Sequence, residues 1–170
     1  MIPWLWVLLV LVALQRVIEL IYAQRNTQRL LDAGGVEVGA SHYPLVVLLH
    51  AAWLIAMAVV IPPYAVPNWW LVGLYALLQP LRIWTIATLG PYWTTRVITI
   101  PNAPLIRAGP YRFFRHPNYV VVCAEIAILP LAFGAYEIAV IFSIFNAALL
   151  SYRIRLEERT LAARRNISAS

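Results

Sequence analysis

The chain has 170 residues, of which 62% are apolar and 12% charged, against roughly a quarter charged in an ordinary soluble domain. A soluble protein of this length has no way to hide so much apolar surface, which points to lipid as the solvent. The net charge of +6 comes from arginine alone, because there is no lysine; basic loops beside apolar spans explain it better than nucleic acid, and no nucleic-acid partner is expected.

The opening stretch "MIPWLWVLLVLVAL" has neither a basic leader nor a small-residue cleavage site and reads as a retained first span. Crossing the hydrocarbon core takes about 20 apolar helical residues, and Ile2 to Tyr22 fits. Arg16 and Glu19 lie three apart near its end, the spacing of a local ion pair. Residues 24–43 are polar, broken at Gly34-Gly35, and read as a loop carrying a short helix. Leu45 to Ile61 is a second span, "PPYAVPN" a tight uncharged turn, and Trp69 to Leu89 a third span with Trp69 and Trp70 at the interface. A polar section, Gly90 to Asn118, follows.

Tyr119 to Tyr152 is long for one span and short for two full ones. A bend at Phe133–Tyr136 makes it a hairpin of two short, tilted or partly re-entrant helices. An arginine- and glutamate-rich helix closes the chain. The fold class is therefore all-α: a polytopic membrane bundle of about five transmembrane helices, the last two a short hairpin. It divides into residues 1–89, three spans with a cytoplasmic loop, and residues 90–170, the chemical core. Cys123, inside an apolar run, reads as a small buried hydrophobe.

Arginines follow spans one and three and crowd the tail, whereas the Pro62–Asn68 turn carries none. By the positive-inside rule the N-terminus is outside, and the long loop and C-terminus face the cytoplasm, as in a bacterial inner membrane. Both polar segments then lie on one side. The hairpin returns "GPYRFFRHPNY", Gly109 to Tyr119, to "RIRLEER", bringing Arg115, His116, Asn118 and Tyr119 near Arg153, Arg155, Glu157 and Glu158. Carboxylates there can hold a cation, arginines an anion, and histidine and tyrosine a small polar ligand. Pro117 biases His116 away from helix and starts the next one.

These two segments resemble the C-terminal core of the isoprenylcysteine carboxyl methyltransferase family. Its signature is an Arg-His-Pro-x-Tyr turn and, about forty residues on, a Glu-Glu-x-x-Leu helix; here these are Arg115 to Tyr119, then Glu157, Glu158 and Leu161. Upstream, "LGPYWTTRVITIPNAPLIRAGPYR" and "GGVEVGASHYPLVVLLHAAWL" resemble a bacterial branch similar to O-methyltransferases of alkylpyrones and alkylresorcinols, encoded beside type III polyketide synthases. The resemblance implies an S-adenosyl-L-methionine-dependent methyltransferase without a Rossmann domain. The sequence agrees, lacking Gly-x-Gly-x-x-Gly after a strand. It implies cofactor contacts from His116, Asn118, Tyr119 and Arg115, a turn shaped by Pro117, and a pocket lined by Gly109, Tyr111 and Leu161. Glu157, Glu158, Arg153 and Arg155 are its implied catalytic groups.

Methyl transfer from a sulfonium needs alignment and exclusion of water more than a protein nucleophile. An arginine would hold an acidic enol's oxyanion, and a glutamate or His116 would take the proton of a less acidic phenol. Alanine at His116 or Glu158 is expected to remove cofactor binding or turnover. A lipophilic substrate would enter sideways from the bilayer, whose lipids are the other partner. Substrate-side candidates are Arg82, a costly charge within span three with Glu125 as a possible ion partner, and Thr95 and Arg96 from the long loop. His50 and Trp53 of span two read as core first and ligands second. His42 and Tyr43 sit where they could cover the pocket. Three scattered histidines point to no metal site. Other acceptors are a prenylcysteine carboxylate and a phospholipid amine. Two rival classes are an NADPH-dependent membrane reductase resembling sterol reductases, and a non-enzymatic adaptor presenting arginines to anionic lipid.

Overall fold

A computed structural model describes residues 2–100 and 106–167, with side chains to Arg159. Five helices carry the fold: α1 (Trp4–Asp32), α2 (Tyr43–Val60), α3 (Trp69–Leu89), α4 (Pro117–Ala132) and α5 (Tyr136–Ile167). Two antiparallel two-residue strands, β1 (Val36–Glu37) and β2 (Ile98–Thr99), pair Val36 with Thr99 and Glu37 with Ile98. Among the described residues four helices are long and apolar enough to cross a membrane, while α4 is apolar but short. The protein is an integral membrane bundle of helices.

Two boundaries differ from the sequence expectation. Span one does not stop at Tyr22: α1 continues to Asp32, about 44 Å at 1.5 Å per residue. No glycine or proline interrupts "AQRNTQRLLD", and Asn26, fully buried, is held by donating to the carbonyls of Gly90 and Trp93 at 3.1 and 2.9 Å. The hairpin is also unequal. Its first arm, α4, has 16 residues, about 24 Å, whereas the second runs 32 residues without a break and includes the charged C-terminal segment.

The turn between α4 and α5 closes on Gly134 (φ 71°), where the amides of Gly134 and Ala135 bond back to the carbonyls of Leu131 and Pro130. The turn between α2 and α3 ends in Asn68, whose side chain caps α3 by accepting from Trp70 N–H at 3.1 Å. Its own N–H donates 2.7 Å to the carbonyl of Ala132, joining the two turns. Trp4 packs edge-on against Trp69, so the start of α1 lies at this same end. The apolar core sits between, with Trp53, Met57, Tyr75, Ile126 and Leu129 buried around Leu5 and Leu9. Cys123 departs from expectation: it is exposed on the outer face of α4, where Asn146 donates a 3.4 Å bond to its sulfur.

Candidate active site

At the opposite end the two polar segments meet. Pro117 takes the first position of α4, where a missing N–H costs nothing, and His116 just before it is non-helical (φ −133°, ψ 63°). Tyr119 is one turn on, and its ring stacks on His116 with centroids 5.4 Å apart. Arg153 and Glu157, four apart on α5, share the facing side. Glu157 gathers three neighbours: the Tyr119 hydroxyl donates to Oε1, His116 Nδ1 lies 3.3 Å from Oε2, and the Arg153 guanidinium lies 3.7 Å from Oε1. Arg153 also sits over the Tyr119 ring at 5.5 Å. Asn118 Oδ1 and Arg153 Nε are buried with no hydrogen-bond partner among the described residues. Burial, with the Glu157 charge second, pushes the nearby Tyr111 phenol above its ordinary value, so it stays a protonated donor at neutral pH.

These groups form one end of a cavity of about 560 Å³. It is lined from Ala13 to Leu30 along α1 and from Asn146 to Glu157 along α5, giving an elongated space roughly 16–25 Å long. Val17, Leu20, Val46, Ala51 and Leu54 give it apolar walls.

The inner end is polar again. Arg82 pairs with Glu19 at 2.5 and 2.6 Å and with Glu125 at 2.9 Å; Arg16 pairs with Glu125 at 2.6 Å and Glu19 at 3.1 Å. Gln79 donates to Glu125 at 3.0 Å and accepts from Gln15 at 2.9 Å. Two arginines and two glutamates thus cancel within the bundle, the arrangement that makes intramembrane charge tolerable. Arg82 is the ion partner of Glu125 that was expected, and it stands in the cavity wall.

A strap closes the side. β1 and β2 tie the loop after α1 to the loop after α3, and Val38 N–H adds a 2.8 Å bond to the carbonyl of Val97. One guanidinium nitrogen of Arg96 reaches both Glu37 oxygens, at 2.8 and 3.1 Å, while Arg96 stacks 4.4 Å over Tyr43. Thr95 donates to the Tyr43 hydroxyl at 3.4 Å.

Of the candidates, His116, Asn118, Tyr119, Arg115, Tyr111, Arg153 and Glu157 line the outer part of the cavity, and Arg82, His50, Thr95 and Arg96 line the rest. Pro117 is buried behind the turn. Gly109 (φ 53°) lies against α3, where a Cβ would collide with Thr88 and stand 3.1 Å from Trp84 Nε1; its role is close approach. Glu158 and Arg155 are exposed and outside the cavity, Glu158 facing Arg115 at 3.9 Å across solvent. Trp53 is fully buried in the core away from the cavity. Tyr43 lines the cavity; His42, packed on Tyr152, does not. The side chain of Leu161 falls outside the described residues.

The family model for isoprenylcysteine carboxyl methyltransferases (ICMT) matches residues 71–163, more than half of the chain, and covers both halves of the Glu157 cluster. The chain belongs to the isoprenylcysteine carboxyl methyltransferase family. This membrane methyltransferase is also similar to a protein of Bacillus subtilis (strain 168) described as uncharacterized protein YpbQ. The two are 38% identical over 160 residues, covering 92% of this chain and 95% of the relative. No solved structure matches the chain.

Motif reasoning led to the residues at the outer end of the cavity and to Arg82. It missed Glu37, whose partner Arg96 is 59 residues away, and the joining of Arg16, Glu19, Arg82 and Glu125 into one network. The available signal for the second was four charges of balanced sign within apolar spans.

Proposed function

We propose that this membrane methyltransferase uses S-adenosyl-L-methionine to methylate an oxygen of a lipophilic acceptor, a long-chain alkylpyrone or alkylresorcinol. The observation that carries the reading is the outer cavity end, where Glu157 and Arg153 face one space beside the stacked rings of His116 and Tyr119. A cofactor with a cationic sulfur, an amino-acid head and a flat heterocycle needs a carboxylate, polar groups and an aromatic face. Glu157, the unpartnered Asn118 Oδ1 and the His116–Tyr119 stack fit that description. When bound, the cofactor supplies a methyl group activated on positively charged sulfur.

The chain's own groups do the rest. Glu157 favours a cation at the outer end, and Arg153, its Nε still free, holds an anionic acceptor oxygen. Tyr111 remains a hydrogen-bond donor. The strap of Glu37, Arg96 and Tyr43 excludes water from the side, and the apolar walls take the acceptor ring, whose alkyl tail lies between helices. The cavity mouth faces the cytoplasm in this reading.

The test is methyl transfer from labelled S-adenosylmethionine by purified protein in lipid, with an alkylresorcinol, an alkylpyrone and a prenylcysteine acid in parallel. Label in a polyketide product supports the full reading. Label in the prenyl ester keeps the methyltransferase and overturns the acceptor. Absence of both label and cofactor binding overturns the reading.

A further inference from the structure

The inner end of the cavity has a feature the ion network does not explain. His50 lines it from α2, and its Nδ1 lies 2.8 Å from the carbonyl of Val46, one turn back. A carbonyl only accepts, so Nδ1 carries the hydrogen and the neutral ring presents a bare lone pair at Nε2. The tautomer is fixed by the helix itself. Among the described residues Nε2 has no hydrogen-bond partner. Arg16 and Arg82 are close enough to act electrostatically on this ring, and Arg16 Nε is itself buried without an acceptor. An acceptor and a donor thus stand unfilled beside one another's charge field, at the end of an apolar tube.

We infer that this is a second polar subsite, in which His50 Nε2 accepts a hydrogen bond from a second, neutral hydroxyl of the acceptor ring, the one that is not methylated. The inference rests on the O-methyltransferase reading and narrows its substrate class. A phenol or enol presents an O–H to the lone pair; an ionised carboxylate offers no hydrogen, and an ether offers none either. His50 is then a recognition residue, separate from the cofactor end.

Replacing His50 leaves the Val46 carbonyl in its ordinary helical bond, so the fold loses nothing obligatory. The experiment uses cofactor-free protein in lipid nanodiscs, titrated with a 5-alkylresorcinol and with its dimethyl ether, read by intrinsic tryptophan fluorescence; Trp93 lines the cavity. The wild type should bind the free resorcinol about tenfold more tightly than the ether, the size expected when a buried acceptor is left unmet. His50→Phe should erase that preference while leaving ether affinity unchanged, and His50→Gln, which keeps an acceptor, should restore part of it.

A preference that survives in His50→Phe is steric and overturns the inference, as does equal binding by the wild type. Imidazole nitrogen NMR on the wild type gives a second readout, because the chain has only three histidines. Resorcinol, and not the ether, should move the His50 Nε2 signal; an unmoved signal overturns the inference. The two readings fail separately. Methyl transfer to resorcinol with no His50-dependent preference keeps the enzyme and sinks the subsite. A His50-dependent preference with no methyl transfer to resorcinol keeps the hydroxyl subsite and sinks the proposed acceptor.

Discussion

Glu157 and Glu158 are neighbours in sequence and about 100° apart around α5, which puts them in different solvents. Glu157 faces Tyr119, His116 and Arg153, while Glu158 is half-exposed and opposite an Arg115 side chain that is 89% exposed. An exposed pair of that kind contributes at most about 1 kcal/mol, whereas hydrogen bonds to a sheltered charge are worth about 1.5–3 kcal/mol. Glu157→Gln should therefore weaken cofactor binding about 10- to 100-fold in calorimetric titration, and Glu158→Gln by less than about threefold. The reverse order would mean that α5 is rotated in the working enzyme.

The paired glutamates were legible in the sequence, but not which of them turns inward. That depends on the helical phase of α5, set by the buried Asn146, Leu150 and Arg153. Their spacing of four and three continues to 157 only if the hairpin arm and the charged segment form one helix. Reading them as two elements hid the phase.

Among elements, α1, α3 and α4 are joined by charge as well as by their apolar core. Glu125 is fully buried and receives Arg16, Arg82 and Gln79 together. Pro80 breaks the hydrogen-bond ladder of α3 at this depth by removing the donor to the Ala76 carbonyl, and the Gln79 side chain beside it donates 3.2 Å to the carbonyl of Tyr75. Glu125→Gln leaves two arginines facing one glutamate and should cost about 3–5 kcal/mol, seen as a large drop in thermal unfolding temperature in detergent. Adding Arg16→Met, which restores neutrality, should recover part of the loss. No recovery would mean that the residues act by shape alone.

The strap calls for a different experiment, because Arg96 is 38% and Glu37 17% exposed and the pair is screened. Arg96→Ala should barely move the unfolding temperature. It should raise the dissociation rate of a bound alkylresorcinol about three- to fivefold, with the wild type approaching the variant at high salt. Spans were readable from hydropathy alone. This strap was not, since its strands are two residues each and its ion pair joins loops far apart in sequence.

At the scale of the whole molecule the bundle has two unlike ends. The turns at Pro62–Asn68 and at Phe133–Ala135 are joined by the Asn68–Ala132 hydrogen bond, lie beside Trp4, and carry no arginine. Arg25, Arg29, Arg96, Arg107, Arg112 and Arg115 lie toward the other end, with the α5 arginines and the cavity mouth. If the arginine-rich end is cytoplasmic, the cavity opens where the methyl donor is made and the N-terminus is outside. With Cys123 replaced by serine, no cysteine remains, so single introduced thiols report the sidedness. Tyr64→Cys, at a position 61% exposed on the arginine-free end, should react with a membrane-impermeant maleimide on intact cells. Phe113→Cys, 70% exposed beside Arg112, should react only after permeabilisation. The opposite pattern would invert the bundle and leave the Glu157 cluster on the side where S-adenosylmethionine is absent. The proposed function would then fall with the orientation, whatever the geometry of the cavity.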